Sequence, residues 1–314
     1  MENRHILFHN KNMKIGRAIV EVLKFRIVRI NHRKRKKFVG LNDYAFKLDE
    51  PYIDDGLINH KMDVFLAPKE SRNGICVIDI HGGSYIFCEH RDNFPLAYKF
   101  VEKGFDFITI DYLPNDGKDR TTKDSIDDCY ICIKYIFEHL KDYHIEDDKF
   151  VIAGDSAGGH FALILAEASD DPELANKMGY DFSNINFEVC LVNCPVFDFV
   201  NIGKDTLTKT GFIRLFGKDY NNLEARQLIC PKYNFKSLKT PLFVSTCHLD
   251  FLRSESLMLK ECLEQGVSYP YKFVDINSLK KKVNHVHNVL RPNMEESVKV
   301  NTMMMDFVYE IINK

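Results

Sequence analysis

Nowhere in this 314-residue chain do apolar residues run uninterrupted for the roughly eighteen positions that a membrane-spanning helix requires, which sets a transmembrane protein aside. No apolar leader is expected either, because the first thirty residues never pass more than a few positions without a charged or polar side chain. Neither G-x-x-x-x-G-K-[ST] nor G-x-G-x-x-G occurs, so both glycine-rich phosphate cradles are excluded. Cys129-Tyr130-Ile131-Cys132 has redox or metal spacing, but no second pair stands at a finger-like distance and it falls inside an expected helix. Buried, inert thiols are expected there. Nine cysteines without a leader fit reduced thiols, so a soluble cytoplasmic protein is expected. Internal repeats and low-complexity tracts are also lacking.

What is present is enough apolar material, 45% of residues, for one large core with an accessory subdomain. The formal charge of -2 hides an asymmetry. Residues 11 to 37 hold eleven Lys or Arg against the single acid Glu21, and the remainder holds 32 basic against 44 acidic side chains. An acidic body argues against nucleic acid as a partner.

From Ile15 to Ile30 apolar residues recur at helical spacing among basic ones, which predicts a basic amphipathic helix. Strands are expected at Tyr44 to Leu48 and Met62 to Leu66, and then strands alternate with helices. Strands fall at Ile75 to Ile80, Phe105 to Ile110, Phe150 to Ala153, Phe187 to Val192, Leu242 to Thr246 and Tyr271 to Val274. Helices fall at Phe94 to Lys103, Ser125 to Leu140, Ala157 to Ala168, Leu257 to Gln265 and Glu296 to Ile312. Short apolar strands separated by helices predict an α/β fold, a mainly parallel central sheet with helices on both faces. Between Val200 and Lys236 the alternation stops, for long enough to be an inserted cap.

Gly154-Asp155-Ser156-Ala157-Gly158 is a G-x-S-x-G element between an apolar strand and an alanine-rich helix. A nucleophile in that setting stands on a sharp, strained strand-to-helix turn, across which side chains at 154 and 158 would collide. The helix opening at Ala157 points its unpaired N–H groups toward a developing oxyanion. His81-Gly82-Gly83-Ser84-Tyr85 directly follows the third strand, where glycines let backbone N–H groups approach a carbonyl oxygen. Gly83, Ser84 and Ala157 are the expected oxyanion donors, with Gly82 shaping the turn as part of the same oxyanion loop.

With these two motifs the chain resembles the hormone-sensitive-lipase-like esterases, which carry an HGGG-type motif and a GDSAGG elbow; here they read His81 to Tyr85 and Gly154 to Gly159. The resemblance implies an α/β-hydrolase fold with a helical cap over roughly residues 60 to 312. Two departures stand out. Ser84 occupies the place of a third glycine, and Asp111-Tyr112 continues as Leu113-Pro114-Asn115-Asp116-Gly117 instead of the usual Arg-Leu-Ala-Pro-Glu type.

A serine hydroxyl needs a neighbouring base, and on this fold the order is Ser, acid, His, so both partners follow Ser156. Asp250 lies at a strand end in Cys247 to Arg253 and resembles the first residue of the family's Asp-x-Leu-x-Asp loop; a helix N-cap would place an aspartate there equally well. Asp198, after the preceding strand, is the alternative acid. In Asn284-His285-Val286-His287-Asn288, between the last strand and the terminal helix, His285 fits the family pattern better and His287 is the alternative base. The triad Ser156, Asp250 and His285 needs no metal and no cofactor.

By resemblance the basic N-terminus folds over the site as part of the cap; physically, residues 11 to 37 could equally make peripheral contact with an anionic membrane. The expected organisation is residues 1–45 as this basic helix, 46–199 as the first part of the hydrolase core, 200–236 as the cap insertion and 237–314 as the second part. The expected function is hydrolysis of small acyl esters of short to medium chain length. Carbohydrate or amide deacetylation on the same triad, and non-catalytic ligand binding, are the alternatives, and the oligomeric state is left open, a homodimer included.

Overall fold

Strands that are buried on both faces must sit inside a layered structure, and the central strands of the sheet are of this kind. The computed structural model describes residues 43–87, 89–116, 119–145, 149–202 and 222–313. Among these, eight strands form one sheet: β1 (Ala45–Pro51), β2 (Lys61–Phe65), β3 (Ile75–Ile80), β4 (Asp106–Ile110), β5 (Lys149–Asp155), β6 (Val189–Asn193), β7 (Leu242–Cys247) and β8 (Tyr271–Ile276). Their spatial order is β1-β2-β4-β3-β5-β6-β7-β8. Pairing is antiparallel at β1 to β2 and β2 to β4, and parallel from β4 through to β8.

Alternate side chains of each strand feed two cores, as the pleat requires. On one face Cys76, Ile78 and Ile80 meet α2 (Thr122–Glu138), α3 (Ala157–Asp170) and α4 (Pro172–Met178) through Ile126, Cys129, Phe161 and Leu174. On the other face Ile75 and Val77 meet α1 (Phe94–Val101) through Leu96 and Phe100, and the C-terminal helix through Val300, Met304, Phe307 and Val308. The burial of Met304 and Met305 makes the Met303 to Met305 run core filling. Cys129 and Cys132 are buried on α2, where burial pushes both thiols well up. No disulfide joins the described cysteines.

Three features go beyond the sequence expectation. The short helix α4 was too brief for periodicity to reveal; Asp171 caps it by accepting the amides of Glu173 and Leu174, and Gly179 at φ 81 ends it. α2 starts earlier than expected because Thr121 and Asp124 form a reciprocal capping box. In the chain returning to β7, α5 (Leu223–Leu228), α6 (Pro231–Asn234) and a 3₁₀ turn (Phe235–Ser237) are helical. After β7 come α7 (Arg253–Glu264) and, after β8, α8 (His287–Leu290) and α9 (Glu295–Ile312).

The expected helix at 15–30, nearly all of segment 1–45, and residues 203–221 of the cap insertion lie outside the described residues. No helix among the described residues is long and apolar enough to cross a membrane.

From β3 the chain steps outward to β4, then crosses back to β5 on the other side of β3. Connections therefore diverge between the carboxyl ends of β3 and β5, which leaves a crevice where ligands bind in open α/β sheets. His81 to Tyr85 leave one of these strands and Ser156 the other.

Candidate active site

β5 ends at Asp155 and α3 begins at Ala157, so Ser156 alone makes the turn, at φ 54 and ψ -116. A non-glycine residue held there stores roughly 1–3 kcal/mol of backbone strain. The Ser156 amide donates to the carbonyl of Asn193 at the end of β6 (2.9 Å). The two flanking glycines permit the turn: a Cβ at Gly154 would stand 2.3 Å from the Gly158 carbonyl oxygen, and one at Gly158 would stand 2.0 Å from that of Ile80.

His285 Nε2 lies 2.9 Å from Ser156 Oγ, and His285 Nδ1 lies 2.6 Å from Asp250 Oδ1. A carboxylate can only accept, so Nδ1 carries the proton and Nε2 is left to accept from the serine hydroxyl. Asp250 reaches this position from the loop after β7 and His285 from the loop after β8. Those loops are tied by a parallel bridge between Leu249 and Asn284 and by the His248 amide donating to Ile276 (3.0 Å). Asp250 also accepts from Thr246 Oγ1 (2.8 Å) and from the Leu252 amide (2.9 Å), so it braces the turn ahead of the next helix without being its N-cap, which is Leu252. Burial alone would raise the Asp250 carboxyl, but the His285 and Leu252 hydrogen bonds outweigh it and hold the group below the ordinary carboxylate range. Its side chain is 0% exposed and that of His285 17%, which seals the acid and leaves the base at the edge of solvent.

The two alternatives lie elsewhere. Asp198 accepts from Lys232 Nζ (2.7 Å) and from Asn201, while Glu255 takes the amides of Phe197 and Asp198; this cluster fastens the chain returning through α6. His287 is buried against Ser297 Oγ (2.9 Å), and burial pushes it down to about 4. Val286, at φ 49, reverses the chain between the two histidines and sends them into different surroundings.

Among the described residues no acceptor takes the amides of Gly83, Ser84 or Ala157. Gly82 differs from its neighbours in the oxyanion loop. Its amide already donates to Asp155 Oδ1 (3.0 Å), so it anchors the loop and offers no N–H to a substrate. Ser84 sits at φ 52, a conformation that a glycine would adopt without strain, and Tyr85 follows at φ 67. His81 itself faces away from the serine: its ring lies on Tyr112 (4.4 Å) and contacts Asp111 Oδ1 (2.9 Å) and the Gly82 carbonyl (2.6 Å). Burial would lower His81, but Asp111 outweighs that and raises it.

Sequence reasoning missed a buried clamp behind the oxyanion loop. Asn93 Nδ2 donates to Asp155 Oδ1 (2.8 Å) and to Asp79 Oδ2 (2.8 Å), joining α1's N-terminus, β3 and the elbow. Burial, with the Asp155 charge beside it, pushes the Asp79 carboxyl up to about 8; Asp155 is also raised, first by burial. The available signal was one aspartate inside the apolar run Ile75 to Ile80. At neutral pH the folded chain thus keeps a proton on Asp79 that an unfolded aspartate, at about 3.9, has released. Stability therefore falls as pH rises from about 4 through about 8. Asp79→Asn should flatten part of that slope in urea midpoints measured from pH 5 to 9; identical slopes in both proteins would contradict the protonated Asp79.

His160 was missed too. One turn along α3, it donates from Nε2 to the Ile229 carbonyl (2.5 Å) and accepts from Tyr85 Oη at Nδ1 (3.0 Å). Burial pushes it down to about 4, so it is neutral and links the oxyanion loop, the elbow helix and the end of α5. Asn193, Ser245, Asn288 and Asn301 form a comparable buried network under the His285 loop. Both depend on contacts distant in sequence.

Cys194, Asp250 and His285 are the one described group whose ligating atoms lie close enough, within 4.8 Å, to hold a metal ion. Their donors are otherwise engaged. The Cys194 thiol is pushed well up by burial and accepts from the Val286 amide (3.4 Å), and Nδ1 of His285 is bonded to Asp250.

The BD-FAE family profile matches residues 62–256, more than half of the chain and both motifs. Esterase LipQ of Mycobacterium tuberculosis is 27% identical over 156 residues, which cover 49% of this chain and 36% of that protein. Endo-1,4-beta-xylanase B of Butyrivibrio fibrisolvens is 28% identical over 110 residues, covering 33% of this chain and 17% of that protein. The chain thus spans about a third or less of the relatives it matches. The crystal structure of an inhibited esterase B from Lactobacillus rhamnosis superposes with a TM-score of 0.83 at 18% identity, covering 95% of this chain and 97% of that one. These likenesses agree with the resemblance to hormone-sensitive-lipase-like esterases drawn from the motifs. With the sheet order, the elbow and the oxyanion loop described above, they place this chain in the BD-FAE family, with an α/β-hydrolase fold.

Proposed function

We propose that this protein is a serine carboxylester hydrolase acting on short- to medium-chain acyl esters. The observation that carries the reading is the unbroken relay from Ser156 Oγ to His285 (2.9 Å) to Asp250 (2.6 Å), with the acid sealed from water. Ser156 Oγ attacks the ester carbonyl while His285 Nε2 takes its proton; Asp250 fixes the tautomer and stabilises the imidazolium. The Gly83, Ser84 and Ala157 amides receive the oxyanion. Collapse breaks the bond to the alcohol oxygen, which leaves with the proton from Nε2. Water, activated by the same nitrogen, then hydrolyses the acyl-enzyme.

Two results would support this together. A fluorophosphonate should add one covalent mass located on Ser156, and a series of p-nitrophenyl esters should show turnover declining as the acyl chain lengthens. A chain that hydrolyses none of the esters and takes no label would be a binding protein of the same fold. The match to a xylan-degrading enzyme's polypeptide supports a second reading, removal of acetyl groups from a carbohydrate by the same relay. An acetylated xylo-oligosaccharide in the ester series separates the two.

A further inference from the structure

Phe251 follows Asp250 in the loop after β7 and is 69% exposed, yet its ring lies against His285, with centroids 4.2 Å apart and planes inclined at 44°. One exposed aromatic needs no explanation by itself; its place beside the base does. His285 Nε2 is the nitrogen that faces Ser156 Oγ. When the tetrahedral intermediate collapses, the bond from the carbonyl carbon to the alcohol oxygen breaks and the Nε2 proton passes to that oxygen. The departing oxygen therefore sits within hydrogen-bond reach of Nε2, about 3 Å. The carbonyl oxygen is directed to the Gly83, Ser84 and Ala157 amides, on the side of β3 and α3. The first carbons of the alcohol would then lie on the imidazole side, the side against which the Phe251 ring packs.

We propose that Phe251 is a specificity-determining residue whose exposed ring forms the wall of the leaving-alcohol subsite and favours alcohols presenting a flat carbon face. An aromatic ring and the C–H face of a sugar share that chemistry. The proposal rests on the esterase reading above. Its own observation is the tilted packing of an exposed ring against the base, which that reading does not require.

The test compares benzyl acetate with ethyl acetate, two esters that share an acyl group and hence a deacylation step, in the full chain and in Phe251→Ala, Phe251→Tyr and Ser156→Ala. Phe251→Ala should lower the benzyl-to-ethyl ratio of kcat/KM roughly fivefold, the worth of one aromatic contact, and Phe251→Tyr should keep it. An acetylated sugar against the same ethyl ester tells whether the C–H face of a pyranose is accepted as well. A ratio that does not move in Phe251→Ala overturns the proposal, also when both rates fall together, since that is what loss of support for His285 alone would produce. Turnover that persists without Ser156, or that is absent from the wild type, instead removes the esterase reading and this proposal with it.

Discussion

Ser156→Ala should lower kcat/KM for p-nitrophenyl acetate by roughly 10⁴- to 10⁶-fold while leaving the melting temperature close to that of the wild type. The loss is this large because the three relay groups act as a unit: without Oγ, the proton acceptor at 2.9 Å has nothing to activate. A residual rate should survive, since the Gly83, Ser84 and Ala157 amides still receive the carbonyl oxygen of an ester attacked by water. Stability should hardly change. Alanine keeps the same strained φ, and the one hydrogen bond removed faces a histidine at the edge of solvent, a change worth about 1 kcal/mol or less. Turnover that survives in a folded Ser156→Ala protein would sink the nucleophile assignment.

Gly158→Ala should cost about 3 kcal/mol or more of stability and disable the site with it. The added methyl would stand 2.0 Å from the Ile80 carbonyl oxygen and 2.5 Å from that of His81, both backbone atoms that cannot rotate aside. Relief requires the start of α3 to separate from the end of β3. That movement pulls Ser156 away from Gly82 to Ser84, the loop whose amides complete the oxyanion site. Gly179→Ala is the proper control: its Cβ meets nothing within 4 Å, but φ 81 still strains it by about 1 kcal/mol. Urea midpoints and kcat measured on both variants decide the matter. Equal destabilisation would mean that the close approach of β3 and α3 is not what requires a glycine.

Hydrophobic patterning located all eight strands within three residues at either end, because runs such as Ile75 to Ile80 are apolar but for a single residue, Asp79. The elbow was legible for a related reason: strand, glycine, serine, glycine and helix are neighbours in the chain, so local order carries the whole motif. Distance along the chain limited the rest. Ser156 and His285 are 129 positions apart, and Asp79, Asn93 and Asp155 meet from three separate elements. Asp198 and Asp250 each follow a strand end, so position alone could not rank them; their partners do, Lys232 for one and His285 for the other.

The amino-acid order by itself determined the layered α/β architecture, the nucleophile's turn and the glycines around it, since each depends on sterics and solvation within a few bonds. Tertiary structure alone shows that Asp250 reaches His285 and His285 reaches Ser156, that the Gly82 amide goes to Asp155 and not to a substrate, and that Asp79, Asn93 and Asp155 meet behind the oxyanion loop. Those outcomes depend on which chain segments approach within about 3 Å, where hydrogen bonds and unscreened charges take effect.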